Sequence, residues 1–256
     1  MKQGIIVVNH GTVNLQAKQR TIDEFVLSIG DRMEDAEITC AYTDSNVRKA
    51  FREITGEKLQ NVKAAMLSMK EAGVTDLLIV TTDIIEDDSH ISLREEVSSV
   101  AALFKNVRIS KPLLSSEADA EITARAFYGA FGSIVAEDRL ILVAEGVKGE
   151  GVAELEAFKA AMKKILPKSH VATLKGEDRL YKVIKELQKA GENEGRIVLV
   201  PLEFVAGEEI ENELSREYSN LVEKLESSGY TVETLFKGLG EYDEFQRLYL
   251  RHAYSA

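Results

Sequence analysis

The feature that most restricts the fold of this chain is a regular alternation of short, continuous Val/Ile/Leu runs with longer stretches of helical spacing. The apolar runs cover 4–8, 37–42, 76–82, 107–110, 139–143, 170–173, 196–200 and 231–235. They are continuous rather than alternating, as parallel strands are when helices cover both faces of their sheet. Between them, apolar residues recur at helical intervals over 15–29, 47–53, 62–72, 93–104, 118–131, 153–165, 180–190 and 209–227. Gly73, Gly191 and Gly229 each stand just before a strand, where a glycine closes a helix. A βα order repeated in this way predicts an α/β protein built on parallel sheets.

The order also repeats at larger scale. The segment Gly4-Ile5-Ile6-Val7-Val8-Asn9-His10-Gly11 resembles Leu140-Ile141-Leu142-Val143-Ala144-Glu145-Gly146, and Leu78-Ile79-Val80 before His90 resembles Val198-Leu199-Val200 before Glu209. Any two βα units share an apolar strand and a polar loop, so each match alone is weak, but two in the same order favour duplication. The chain is 256 residues long, which suits two lobes, expected at 1–125 and 126–256. A chain of this size buries roughly 70–75% of its unfolded surface and folds without disulfides or a structural metal. Two such lobes would face a cleft with the carboxyl ends of their strands, where open parallel sheets bind ligands.

Charge and cysteine usage exclude several classes. There are 32 Lys and Arg against 43 Asp and Glu, a net charge of −11, and the basic residues are scattered. A general nucleic-acid surface and an anionic membrane are therefore not expected as partners. An anionic small molecule would need basic side chains gathered locally. Cys40 is the single cysteine, which fits a reducing compartment, and its place in an apolar run makes it a core residue rather than a nucleophile. No run approaches the roughly 18 apolar residues of a membrane span, and the N-terminal segment reads as a strand rather than a secretory signal. The expected location is cytoplasmic. Gly149-Glu150-Gly151 and Gly238-Leu239-Gly240 lack the rest of a dinucleotide fingerprint and there is no P-loop lysine, so no nucleotide is expected; the missing G-x-S-x-G elbow argues against an α/β-hydrolase.

Four histidines remain: His10, His90, His170 and His252. His10 follows the first strand, Asp44 the second, and His90 lies beyond the third after an acidic loop, Asp83 to Ser89. Each alone reads as an ordinary polar residue at a strand end. Together, two neutral imidazoles and a carboxylate at adjacent strand ends suit a divalent transition metal with positions open for exchange. His170 starts a strand, at the wrong edge of its sheet, and reads as structural; His252 falls in a C-terminal helix and reads as a packing or surface residue. The corresponding second-half positions carry Glu145, Lys175 and Glu209, which read as a salt-bridged cluster because the lysine would repel a cation. The run Glu86-Asp87-Asp88 reads as a solvated loop that could also guide cations.

At these residues the sequence resembles the class II tetrapyrrole chelatases, and most closely the anaerobic-type sirohydrochlorin cobaltochelatases. The resemblance is carried by Val7-Val8-Asn9-His10-Gly11-Thr12, by Lys111-Pro112-Leu113-Leu114-Ser115-Ser116, by Val200-Pro201-Leu202-Glu203-Phe204-Val205-Ala206-Gly207 and by Gly238-Leu239-Gly240-Glu241. It implies two similar chelatase-like lobes, each a mainly four-stranded parallel sheet flanked by helices, with the last helix packing back on the first lobe. It implies ATP-independent insertion of a divalent metal into sirohydrochlorin or a related tetrapyrrole, with Co2+ favoured and Ni2+ or Fe2+ as alternatives. The long anaerobic-type enzymes place two histidines and a carboxylate in the second half, where this chain has Glu145, Lys175 and Glu209. His10, Asp44 and His90 instead stand at the positions used by the short, ancestral-type chelatases, which normally carry glutamate where Asp44 stands. The expected metal site is therefore His10, Asp44 and His90, with His10 and His90 catalytic. A polycarboxylate substrate would further require some of Arg48, Lys49, Arg94, Lys111, Lys148 and Lys237 to line the cleft. The alternative expectation is a metal or tetrapyrrole carrier that keeps the fold without turnover. Sequence leaves the oligomeric state open.

Overall fold

The computed structural model describes residues 2–133, 135–136, 138–144, 151–174, 180–191, 194–206 and 213–256. Among these residues eight strands form two four-stranded parallel sheets of the same topology. The first has the order β2-β1-β3-β4, with β1 Gln3–Asn9, β2 Glu37–Tyr42, β3 Asp76–Thr81 and β4 Asn106–Ile109. The second has the order β6-β5-β7-β8, with β5 Arg139–Ala144, β6 Ser169–Thr173, β7 Gly195–Pro201 and β8 Tyr230–Thr234. In each sheet the chain runs to one side of its first strand and then crosses to the other. The switch point therefore falls between β1 and β3, and between β5 and β7.

Among the described residues ten α-helices connect and cover these strands: α1 Leu15–Lys18, α2 Glu24–Gly30, α3 Ser45–Thr55, α4 Val62–Glu71, α5 Asp88–Val100, α6 Glu117–Phe131, α7 Val152–Ile165, α8 Leu180–Lys189, α9 Glu213–Ser227 and α10 Asp243–Tyr254. The continuous apolar runs are explained by what each strand face meets. Successive strand side chains point to opposite faces. Ile5 and Val7 enter a central core, while Ile6 and Val8 enter an outer one with residues of α4 and α5. In the second sheet Leu140 and Leu142 join the same central core, while Ile141 and Val143 pack outward with residues of α8 and α9. The two sheets thus share one core, filled by residues of α2, α6, α7 and α10.

Aromatic rings occupy much of that shared core. Phe25 of α2 meets Phe204, beyond β7, edge-on at 5.3 Å, and both rings meet Tyr249 of α10. Phe127 of α6 lies 5.7 Å from Phe158 of α7 and 4.6 Å from Phe245 of α10. Gly238 makes one close approach possible: a Cβ there would sit 2.6 Å from the Ala206 nitrogen and 2.8 Å from the Val205 Cα. The last helix and C-terminus bond to residues around the first sheet: the Tyr249 hydroxyl donates to the Thr82 carbonyl at 3.1 Å and Arg108 donates to the Ala256 carbonyl at 2.6 Å. Among the described residues no helix is long and apolar enough to cross a membrane.

Several elements differ from the expected bounds. The single helix expected over 15–29 is interrupted by a π-helical turn, Gln19–Asp23, in which the Glu24 N–H reaches the Gln19 carbonyl and the Thr21 hydroxyl donates to the Ala17 carbonyl at 2.6 Å. The helix expected from 93 begins at Asp88, because Asp87 caps it by accepting the N–H groups of Ser89 and His90. It ends at Val100 and passes into a 3-10 turn, Ala101–Leu103. His252 is buried, 4% exposed, with Nδ1 at the Lys111 carbonyl and Nε2 at Asp119. The glycines at 73, 191 and 229 do adopt positive φ after their helices.

Candidate functional site

The carboxyl end of β1 turns sharply at Asn9-His10-Gly11. The Asn9 side chain donates to the Thr82 hydroxyl at 2.6 Å and accepts the Gly11 N–H at 2.7 Å, which ties the end of β1 to the end of β3. Gly11 has φ of +108°, and a Cβ there would lie 2.8 Å from the Val47 Cγ1, so glycine is required on both counts. His10 is held at this turn with its ring 57% exposed. Its Nε2 stands 3.3 Å from Asp44 Oδ2 and its Nδ1 3.3 Å from the Thr43 hydroxyl. Asp44 is placed by its other oxygen, which accepts the N–H groups of Asn46 and Val47 at 2.6 and 3.1 Å and so caps α3.

His90 occupies a different environment. It lies in the first turn of α5, with its ring only 4% exposed, and its Nδ1 is 2.8 Å from Asp83 Oδ2. Asp83 sits in a segment fixed from several directions. Its N–H donates to the Thr81 hydroxyl, its carbonyl accepts the Leu113 N–H at 3.0 Å, and the Ile84 carbonyl accepts the Leu114 N–H at 2.7 Å. Tyr249 bonds the preceding carbonyl, and burial together with the Asp83 charge holds its phenol protonated, far above the ordinary tyrosine range.

The structure therefore brings His10 to Asp44 and His90 to Asp83. Among the described residues no group of three or more His, Cys, Asp or Glu side chains is arranged to hold a metal ion. Asp83 is the partner of His90 that sequence reasoning passed over. Its signal was present, a carboxylate immediately past a strand and seven residues before a histidine, three residues ahead of the acidic run Glu86-Asp87-Asp88. Two members of that run are engaged rather than solvated: Glu86 pairs with Arg94 at 2.6 Å and Asp87 caps α5. Two of the expected substrate-facing cations are likewise occupied. Arg94 is the partner of Glu86, and Arg48 donates to the carbonyls of Tyr42 and Thr43 at 2.5 and 2.8 Å. Lys237 lies over the Tyr242 ring. Lys148, Glu145, Lys175 and Glu209 lie outside the described residues. Burial pushes the Cys40 thiol up to about 11, which suits an inert core cysteine.

The loops beyond the two sheets also meet. A Cβ added to Gly151, at the start of α7, would come within 2.9 Å of the Glu86 carbonyl and of the Ile85 Cδ1. Two topologically identical parallel sheets with the loops beyond their carboxyl ends in contact, and two histidine–carboxylate pairs beyond the strands of the first, form the two-lobed α/β fold of the chelatases. SirB from Bacillus subtilis, solved with Fe3+, has this fold: it superposes with a TM-score of 0.70 at 17% identity, covering 100% of this chain and 95% of SirB. The chain belongs to the cobalt chelatase (CbiK) family, whose model matches residues 3–256. It is 22% identical to the sirohydrochlorin cobaltochelatase CbiKC of Nitratidesulfovibrio vulgaris, over 100% of this chain and 90% of that protein. It is 20% identical to the sirohydrochlorin cobaltochelatase of Salmonella typhimurium, over 100% of this chain and 97% of that one.

Proposed function

We propose that this protein inserts a divalent metal into sirohydrochlorin or a close tetrapyrrole relative without a nucleotide, with Co2+ the favoured ion and Ni2+ or Fe2+ as alternatives. The observation that carries the reading is the placement of His10 with Asp44, and His90 with Asp83, around the switch point between β1 and β3. Ligands of open parallel sheets bind at such a point. Family membership and the two sirohydrochlorin cobaltochelatase relatives support the substrate class.

The reaction exchanges M2+ for the two N–H protons of a free-base macrocycle, so a site needs metal donors and proton acceptors together. Imidazole supplies both, with an unperturbed pKa of about 6.5. In this reading His10 and His90 hold the ion over one macrocycle face, and Asp44 adds charge that offsets the metal's. The His10 Nε2 to Asp44 Oδ2 separation of 3.3 Å matches roughly the ligand–ligand edge of a tetrahedral ion with bonds of about 2.0–2.1 Å. The tetrapyrrole would lie between a lobe of residues 1–125 and one of 126–256, the chain crossing within α6. A cytoplasmic setting rests on the lone Cys40.

Visible absorbance during incubation of sirohydrochlorin with Co2+, Ni2+ or Fe2+ tests the proposal. Metal insertion should fall at least tenfold in His10→Ala and in His90→Ala, and less in Glu209→Ala. Stoichiometric metal binding without turnover would instead identify a carrier, and binding of neither metal nor tetrapyrrole would leave only a shared fold.

A further inference from the structure

We infer that Asp83 is a positioning residue that locks His90 in the tautomer whose Nε2 is the metal donor. This deepens the metal site proposed above and rests on it. The chemistry follows from the acceptor. An ionised carboxylate has no proton to give, so the 2.8 Å contact between Asp83 Oδ2 and His90 Nδ1 places the hydrogen on Nδ1. A neutral ring then carries its lone pair on Nε2, and that nitrogen has no hydrogen-bond partner among the described residues.

The two histidines differ in how firmly they are held. His10 is 57% exposed, and both of its ring contacts are long, at 3.3 Å. His90 is 4% exposed, its backbone N–H is fixed by Asp87, and its ring meets Asp83 at an ordinary charge-assisted distance. Asp83 is itself immobilised by bonds that do not involve His90. The Leu113 N–H holds its carbonyl, the Thr81 hydroxyl its N–H, and Tyr249 and Leu114 hold the carbonyls on either side. A carboxylate anchored in this way behind an imidazole orients the ring and raises its basicity as a ligand. Loss of such a partner typically costs about 10–100-fold in metal affinity.

Asp83→Asn keeps the size of the side chain but offers an amide N–H that can donate to Nδ1 and move the ring hydrogen to Nε2. The tautomer is read on the metal-free protein by long-range 1H–15N correlation of the ring with the imidazole neutral, the His90 signals being assigned from His90→Gln. Wild type should show protonated Nδ1 and unprotonated Nε2, and Asp83→Asn should mix or reverse them. Co2+ titration followed by its visible bands should show affinity at least tenfold weaker in Asp83→Asn, and closer to wild type in Asp83→Glu. The melting temperature of Asp83→Asn should stay near that of wild type. Unprotonated Nδ1 in wild type overturns the inference, as does Asp83→Asn that binds Co2+ like wild type while His90→Ala loses binding. Wild-type Co2+ binding by His90→Ala overturns the first-lobe metal site, and the inference with it, because the ring would then have no ion to be oriented for.

Discussion

At the end of β2, one carboxylate oxygen of Asp44 caps α3 while the other faces His10. Two substitutions separate these roles. Asparagine is as good an N-cap as aspartate, so Asp44→Asn should keep the melting temperature while weakening Co2+ binding about tenfold. Asp44→Ala should lose both, with a stability cost of about 1 kcal/mol by urea denaturation. Cys40 offers a pH test at the same scale. Its thiol titrates near 9.0 when unfolded and at about 11 in the fold, because burial disfavours the thiolate. The folded state holds the proton longer, so the resulting stability is complete below pH 9 and is lost between pH 9 and 11. The urea midpoint of wild type should therefore fall across that window more steeply than that of Cys40→Ala. Parallel profiles would contradict the assignment.

At the scale of elements, the helix that follows Asp44 and the helix that carries His90 each start on an aspartate cap, Asp44 for α3 and Asp87 for α5. The caps fix where each helix begins, and hence which side chain appears at its first turn. In α5 that side chain is His90. The helices between the sheets are fixed by packing instead. Phe127 of α6 is fully buried and meets rings from α6, α7 and α10, so its removal opens a cavity shared by three helices. Phe127→Ala should cost about 3–5 kcal/mol in denaturant unfolding while leaving the metal affinity of the folded protein unchanged. A loss below about 1 kcal/mol would mean that the core relaxes into the space.

For the molecule as a whole, the shared central core couples the two sheets. Calorimetry should accordingly show one unfolding transition rather than two, with its midpoint lowered by Phe127→Ala. Asp119 is a second tie between distant segments. It accepts from Ser115 and Ser116 at 3.0 and 2.6 Å, pairs with Arg251, and meets His252 at 3.2 Å. Burial alone would raise its pKa, but the hydroxyls of Ser116 and Ser115, followed by His252, outweigh that and hold it below the ordinary value of 3.8. A depressed carboxylate contributes stability that is present above its unfolded pKa and lost as pH falls through the folded one. Asp119→Asn should therefore be less stable than wild type at neutral pH, and the difference should shrink as the pH drops below about 4.

The strands and their parallel pairing were legible in the sequence because each apolar run had to satisfy two faces at once. Ile5 and Val7 turn one way and Ile6 and Val8 the other, and no one-sided sheet would keep all four apolar. The places of His10, Asp44 and His90 beyond the strands were legible for a related reason: backbone pairing stops at a strand end, and polar side chains gather there. Sequence could not pair them. Whether His90 meets Asp44 or Asp83 depends on where α5 begins and on the bonds from Leu113, Leu114 and Tyr249 that set the loop after β3, and these come from segments distant in the chain. Likewise Arg48 and Arg94 looked free for an anionic substrate until folding placed carbonyls and Glu86 against them. Local periodicity determines the elements, because burial is decided residue by residue along a strand or helix; the partners of a polar side chain are decided by tertiary contacts that periodicity does not encode.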